Sequence, residues 1–180
     1  MKFFCDYFSD IAEKLNDVDL AELDRLAELF KATRASDRSV IFVGNGGSAA
    51  MASHVSVDLT KVGGVRSQNF NEADLLTCLA NDYGYEHWVE KALEFYGRSG
   101  DLIVLISSSG RSPNIVYGAK AARALKMTPV TLSGFDADNP LRRLGDLNLW
   151  VNSRSYNIVE MTHHIWLLAA VDRVVASEEI

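Results

Sequence analysis

Apolar and polar positions alternate in two rhythms along this chain. At the start, Phe4, Phe8, Ile11 and Leu15 recur at helical spacing, which predicts an amphipathic helix over 3–15. A second helix is expected from Asp19, with Glu22 three residues on as a capping box and Leu20, Leu23, Leu26, Leu29 and Phe30 as one stripe. The pattern then changes. Residues 39–43 and 101–106 are nearly continuous apolar runs, as in strands buried on both faces, and 128–132 reads as a further strand. A short extended segment is expected at 67–70 and an edge strand at 147–152.

Helical patterns fill the gaps: after Gly47, from 71 to 80, from 86 to 96, from 113 to 126, briefly after Pro140, and from 157 to about 176. Asn81-Asp82-Tyr83-Gly84 reads as a break between two of them. Strands alternating with helices imply an α/β fold, a parallel sheet flanked by helices on both faces. The whole chain, 1–180, reads as one domain. The two leading helices, within 1–36, stand outside the repeat and would pack either on the sheet or on another subunit.

Two strand-to-helix turns carry the candidate chemistry. Gly44-Asn45-Gly46-Gly47-Ser48 follows the first apolar run and opens a helix. Glycines there let the backbone approach a ligand, and the first helical N–H groups point at an anion. The second turn, Ser107-Ser108-Ser109-Gly110-Arg111-Ser112, precedes Pro113, which suits a first helical turn. Its hydroxyls and amides can bind phosphate oxygens, although a single serine there would serve simply as the helix cap. In such sheets, ligands bind beyond the carboxyl ends of the strands, where both turns fall.

Composition narrows the ligand. Net charge is −6, with no long basic run, which argues against nucleic acid or an anionic membrane and for a small phosphorylated metabolite. No apolar stretch reaches membrane-spanning length, and the first ten residues do not read as a signal peptide. Cys5 and Cys78 are far apart and read as buried or half-buried thiols of a cytoplasmic protein. Trp88, Trp150 and Trp166 read as packing residues, and His87 as solvent-facing.

The chain resembles the sugar isomerase (SIS) domain family, and within it the bacterial phosphoheptose isomerases. The likeness rests on the glycine turn at 44–48, His54 with Asp58-Leu59-Thr60, Asn81-Asp82-Tyr83-Gly84, and the serine turn at 106–112. It implies a flavodoxin-like three-layer sandwich built on a five-stranded parallel sheet, and interconversion of sedoheptulose 7-phosphate with an aldoheptose phosphate for lipopolysaccharide or capsule synthesis. It also implies a homotetramer with active sites between subunits. Ser107, Ser108, Ser109 and Ser112 would hold the phosphate. Asn45, Gly46, Gly47 and Ser48 would line the sugar, with Asn81 and Asp82 on its hydroxyls. The family's zinc has four ligands. His54 and Asp58 match two, but Val159 and Leu167 stand where the family has Gln and His, so no cofactor is expected. Some relatives in this family are protein partners rather than enzymes.

Aldose–ketose isomerisation needs a base near the carbons and a group serving the oxygens. Asp58, replacing the family's Glu, is the expected base. His54 shares its helix face four residues away, though such a pair also suits a plain surface. On the last helix, Glu160, His163 and His164 cluster, and His163, one turn before Leu167, is the candidate for a displaced acid. Against this, Asn157 and Glu160 form a capping-box pattern that would occupy the carboxylate. Arg111 points either to the phosphate or to solvent, and Asp136 and Asp138 suit a polar turn.

Overall fold

The computed structural model describes residues 2–176. Two helices, α1 (Lys2–Asn16) and α2 (Leu20–Ala35), precede β1 (Val40–Val43), α3 (Gly47–Lys61), β2 (Ser67–Asn69), α4 (Ala73–Tyr83) and α5 (Trp88–Tyr96). Then follow β3 (Leu102–Ser107), α6 (Pro113–Ala124), β4 (Thr128–Ser133), a single 3-10 turn at Leu141–Arg143, β5 (Leu147–Trp150) and α7 (Tyr156–Ala176). The five strands form one parallel sheet in the order β2-β1-β3-β4-β5. Val40 stands opposite Leu102, and Leu102 opposite Thr128.

The apolar runs are continuous because both sheet faces are covered. Successive side chains point to opposite faces of a strand. Phe42, Val104 and Ile106 therefore join Phe30, Met51, Leu59, Trp166 and Leu167 under α2, α3 and α7. Ile41, Val43, Ile103 and Leu105 join Leu79, Trp88, Leu93 and Ile115 under α4, α5 and α6. The expected three-layer α/β sandwich is the observed one.

The two leading helices behave differently. In α2, Leu26, Ala27 and Phe30 are wholly buried, and Asp19 caps the helix by accepting from the Ala21 amide at 2.9 Å. By contrast, α1 has no buried residue. Phe3, Phe4 and Phe8 are each more than 60% exposed, and Trp166 Nε1 donates to the Leu15 carbonyl at 3.1 Å.

Several sequence expectations need correction. Cys5 and Cys78 are exposed, because Cys5 lies on a helix with no fully buried residue and Cys78 on the outer side of α4. Trp88 and Trp166 pack in the core, but Trp150 is half-buried beneath the Arg142 guanidinium, 4.7 Å away. His87 is half-buried, bonded to Glu90 at 2.9 Å and stacked on Tyr117. No helix among the described residues is long and apolar enough to cross a membrane.

Candidate functional site

β1 and β3 are neighbours, so the turns that leave their carboxyl ends lie side by side. Between them is a cleft of about 100 Å³, lined by Asn45, Ser48, Ile106, Ser107, Ser108, Ser109, Ser112, Tyr156 and Glu160. Six of these are residues that the sequence assigned to a phosphosugar.

The glycine turn presents backbone to this cleft. Gly46, at φ 53°, is the N-cap of α3 and has no side chain to occupy the first helical amides. Gly47 admits α7: a Cβ there would stand 2.2 Å from Glu160 Oε2. Neither glycine is among the cleft's lining residues, since their part is to shape the turn.

In the serine turn, the Gly110 amide bonds the Ser107 carbonyl at 2.8 Å, closing the loop. Ser112 is the N-cap of α6, yet its hydroxyl makes no capping bond. It accepts from Ser107 Oγ at 3.1 Å, which leaves its own proton for an incoming oxygen. Arg111 turns away from the cleft. Its guanidinium pairs at 3.2 Å with Asp136, which also holds Arg154.

Asn45 is fixed by a network that the sequence did not reveal. Its Nδ2 donates to Asn114 Oδ1 at 3.0 Å, and its Oδ1 accepts from Asn114 Nδ2 at 2.8 Å. Tyr85 Oη donates to the same Oδ1 at 3.1 Å. One Asn45 N–H therefore remains for a ligand. Asn114 is buried, and nothing in its spacing marked it.

The last helix supplies the third wall. Glu160 reaches the cleft, with Ser108 Oγ at a long 3.5 Å, instead of capping its own helix, because α7 already begins at Tyr156. Burial pushes its carboxyl above the usual range, partly offset by the Ser108 hydroxyl.

His163 does not reach the cleft, which corrects the expected acid. It is fully buried, with Nε2 on the Ser133 carbonyl at 3.1 Å, and burial lowers its pKa to about 4. It faces the sheet because it shares the core face of α7 with Val159 and Leu167, both wholly buried. His164 takes the other face. Its Nε2 lies 2.9 Å from His54 Nδ1, and His54 Nε2 lies 3.2 Å from Asp58 Oδ2. Glu160 and His164 are four apart, so the helix face that meets Gly47 also meets His54. That spacing was legible; which of two adjacent histidines it served was not.

Asn81 and Asp82 are likewise not brought to the cleft. α4 runs on to Tyr83, so both lie exposed in its last turn, where Asn81 Nδ2 donates to Asp82 Oδ1 at 2.9 Å. His54 and Asp58 lie outside the lining as well, farther along α3.

The four positions that would ligate zinc do not fit the metal. Val159 and Leu167 are apolar and packed in the core, and His54 directs one ring nitrogen to Asp58 and the other to His164. Among the described residues, no three His, Cys, Asp or Glu side chains are arranged to hold an ion.

Comparison with known proteins agrees with this architecture. The SIS domain model matches residues 3–134. The phosphoheptose isomerase of Nitratidesulfovibrio vulgaris is 34% identical over 149 residues, 78% of this chain and 71% of that protein. That of Neisseria gonorrhoeae is 33% identical over 156 residues, 81% of this chain and 77% of that protein. The solved structure of phosphoheptose isomerase GmhA from Neisseria gonorrhoeae superposes with a TM-score of 0.89 at 26% identity, covering 97% of this chain and 98% of that one.

Proposed function

The chain belongs to the SIS-domain family, and from that premise we propose that it is a cytoplasmic sugar-phosphate isomerase that converts sedoheptulose 7-phosphate to an aldoheptose 7-phosphate without a metal. The observation that carries this reading is the convergence of the glycine and serine turns on one small polar cleft. The hydroxyls of Ser107, Ser108, Ser109 and Ser112 would grip the phosphoryl group, with the α3 N-terminus adding its dipole.

The reacting carbons would lie along the seam between α3 and α7. From Gly47 to His54 is seven residues, about 10.5 Å at the helical rise. That suits a long sugar phosphate anchored at one end. In the reaction, a base removes the proton from the carbon beside the carbonyl while an acid protonates the carbonyl oxygen. The enediol then collapses as its other hydroxyl gives up its proton and the former carbonyl carbon receives one. Asp58 is assigned the base, and the His54–His164 pair the exchange of protons on oxygen. Asp58 beside His54 Nε2 favours the tautomer protonated there, so His54 Nδ1 accepts from His164. Glu160, in the wall of the cleft beside Ser108, would accept from the sugar hydroxyls.

A second reading has one observation in its favour. Burial of Val159 and Leu167 removes the family's metal-binding pair, which suits a phosphosugar-binding or protein-interaction module that performs no turnover. Incubation with sedoheptulose 7-phosphate, followed by NMR, separates the two. A new aldose anomeric signal, lost in Ser109→Ala/Ser112→Ala, is expected. Saturable binding without turnover leaves the binding module, and neither binding nor turnover sinks both.

A further inference from the structure

A larger hollow lies at the opposite end of the sheet. It has a volume of about 300 Å³ and is lined by Asp37, Arg38, Ser39, Arg66, Gln68, Tyr96, Arg98 and Asp101. A second hollow of about 310 Å³ adjoins it, sharing Ser39, Arg66 and Gln68. Both sit at the amino ends of β1, β2 and β3, whereas the glycine and serine turns leave the carboxyl ends. Volumes of this order hold small metabolites.

The charges there are unequally engaged. Three arginines come from three separate connections in a chain whose net charge is −6. Arg66 is paired with Asp37 at 3.2 Å. The Asp101 carboxylate, 4% exposed, accepts from the Ser39 amide at 3.0 Å and the Arg98 amide at 2.8 Å, so it clamps the two strand entries together. That leaves Arg38 and Arg98. They follow the ends of α2 and α5, where a guanidinium can answer the last helix carbonyls. Neither side chain makes such a bond or any ion pair among the described residues. Two planar forks of five donors each thus line a polar hollow with no acceptor of their own. Beside them stands the half-exposed ring of Tyr96, its other neighbour being Phe70 at 5.7 Å.

We propose that this hollow is a second ligand site, for a small metabolite bearing a diphosphate, with Arg38 and Arg98 on the phosphoryl oxygens and Tyr96 against the organic part. Two guanidiniums from different loops suit two linked phosphoryl groups better than one carboxylate. The site lies across the sheet from the phosphosugar cleft, and the proposal does not rest on the isomerase reading.

The test uses inorganic pyrophosphate and ADP as probes, titrated by calorimetry into the Ser109→Ala/Ser112→Ala protein, in which the serine turn is disabled. Pyrophosphate should still bind, and Arg38→Gln/Arg98→Gln in that background should weaken it at least tenfold. ADP should bind more tightly than pyrophosphate, and Tyr96→Ala should remove the difference. As a readout independent of the arginine variants, pyrophosphate should shift the NMR signals of Tyr96 in the unmutated protein. No pyrophosphate binding once the serine turn is disabled, or binding indifferent to the arginine changes, would overturn the site. ADP binding no tighter than pyrophosphate would overturn the role of Tyr96.

Discussion

His54 and His164 face one another across α3 and α7, Nδ1 to Nε2 at 2.9 Å with the rings nearly perpendicular at 86°. Asp58 holds the far nitrogen of His54, so three titratable groups form one line. Burial, and then the neighbouring His54, push His164 below the usual histidine range. A neutral His164 donates its Nε2–H in a hydrogen bond to His54 Nδ1, and it can take up a proton on Nδ1 only as it releases the one on Nε2.

If this line exchanges protons during isomerisation, His164→Gln should lower kcat by about 10²–10⁴ while KM changes little. The pH profile gives the sign. Activity should be full at neutral pH and above, and should fall as pH drops below the ordinary histidine range and His164 becomes protonated. The variant should lack that acid limb. A His164→Gln enzyme with unchanged kcat and profile would remove the pair from the mechanism.

Gly47 and Glu160 provide an independent check. The Cβ of Gly47→Ala would collide with the Glu160 carboxylate, the movable end of a side chain. Gly47→Ala should therefore cost little stability but reduce turnover about as much as Glu160→Ala. The two changes together should do no more than either alone, since both displace the same carboxylate. Additive losses in a double-mutant cycle would show that the contact is incidental.

His163 predicts a pH-dependent stability. Its folded pKa of about 4 lies below the unfolded value near 6.5. The unfolded state therefore binds the proton more readily, so stability is complete above pH 6.5 and declines as pH falls toward 4. The full loss is about 3 kcal/mol at 1.36 kcal/mol per unit. Urea midpoints of the protein and of His163→Asn, compared between pH 7 and pH 4.5, should diverge at neutral pH and converge in acid. Parallel curves would refute this.

The aromatic face of α1 bears on assembly. A helix of 15 residues with no fully buried residue is marginal alone. We expect Phe3, Phe4 and Phe8 to pack in a homo-oligomer. Phe4→Glu/Phe8→Glu should shift the sedimenting species to a smaller one. A monomer before and after substitution would leave α1 without that role.

The chain's local patterns determined much. The nearly continuous apolar runs of β1 and β3 announced strands covered on both faces, because a half-exposed strand alternates apolar with polar residues. Gly46, Gly47 and Ser107 to Ser112 announced the two strand-to-helix turns, because glycines and short hydroxyl side chains at a helix start are local features. Tertiary structure decided what depends on the relative rotation of distant segments. Adjacent histidines on α7 differ by about 100° around the helix axis at 3.6 residues per turn. Only the packing of α7 sends His163 into the core and His164 to His54. The same holds for Asn45, whose partners Asn114 and Tyr85 are distant in sequence, and for Asn81 and Asp82, carried outward when α4 continued through the expected break. It holds also for the arginines at the strand entries, which share one hollow only because β2, β1 and β3 are neighbours in the sheet.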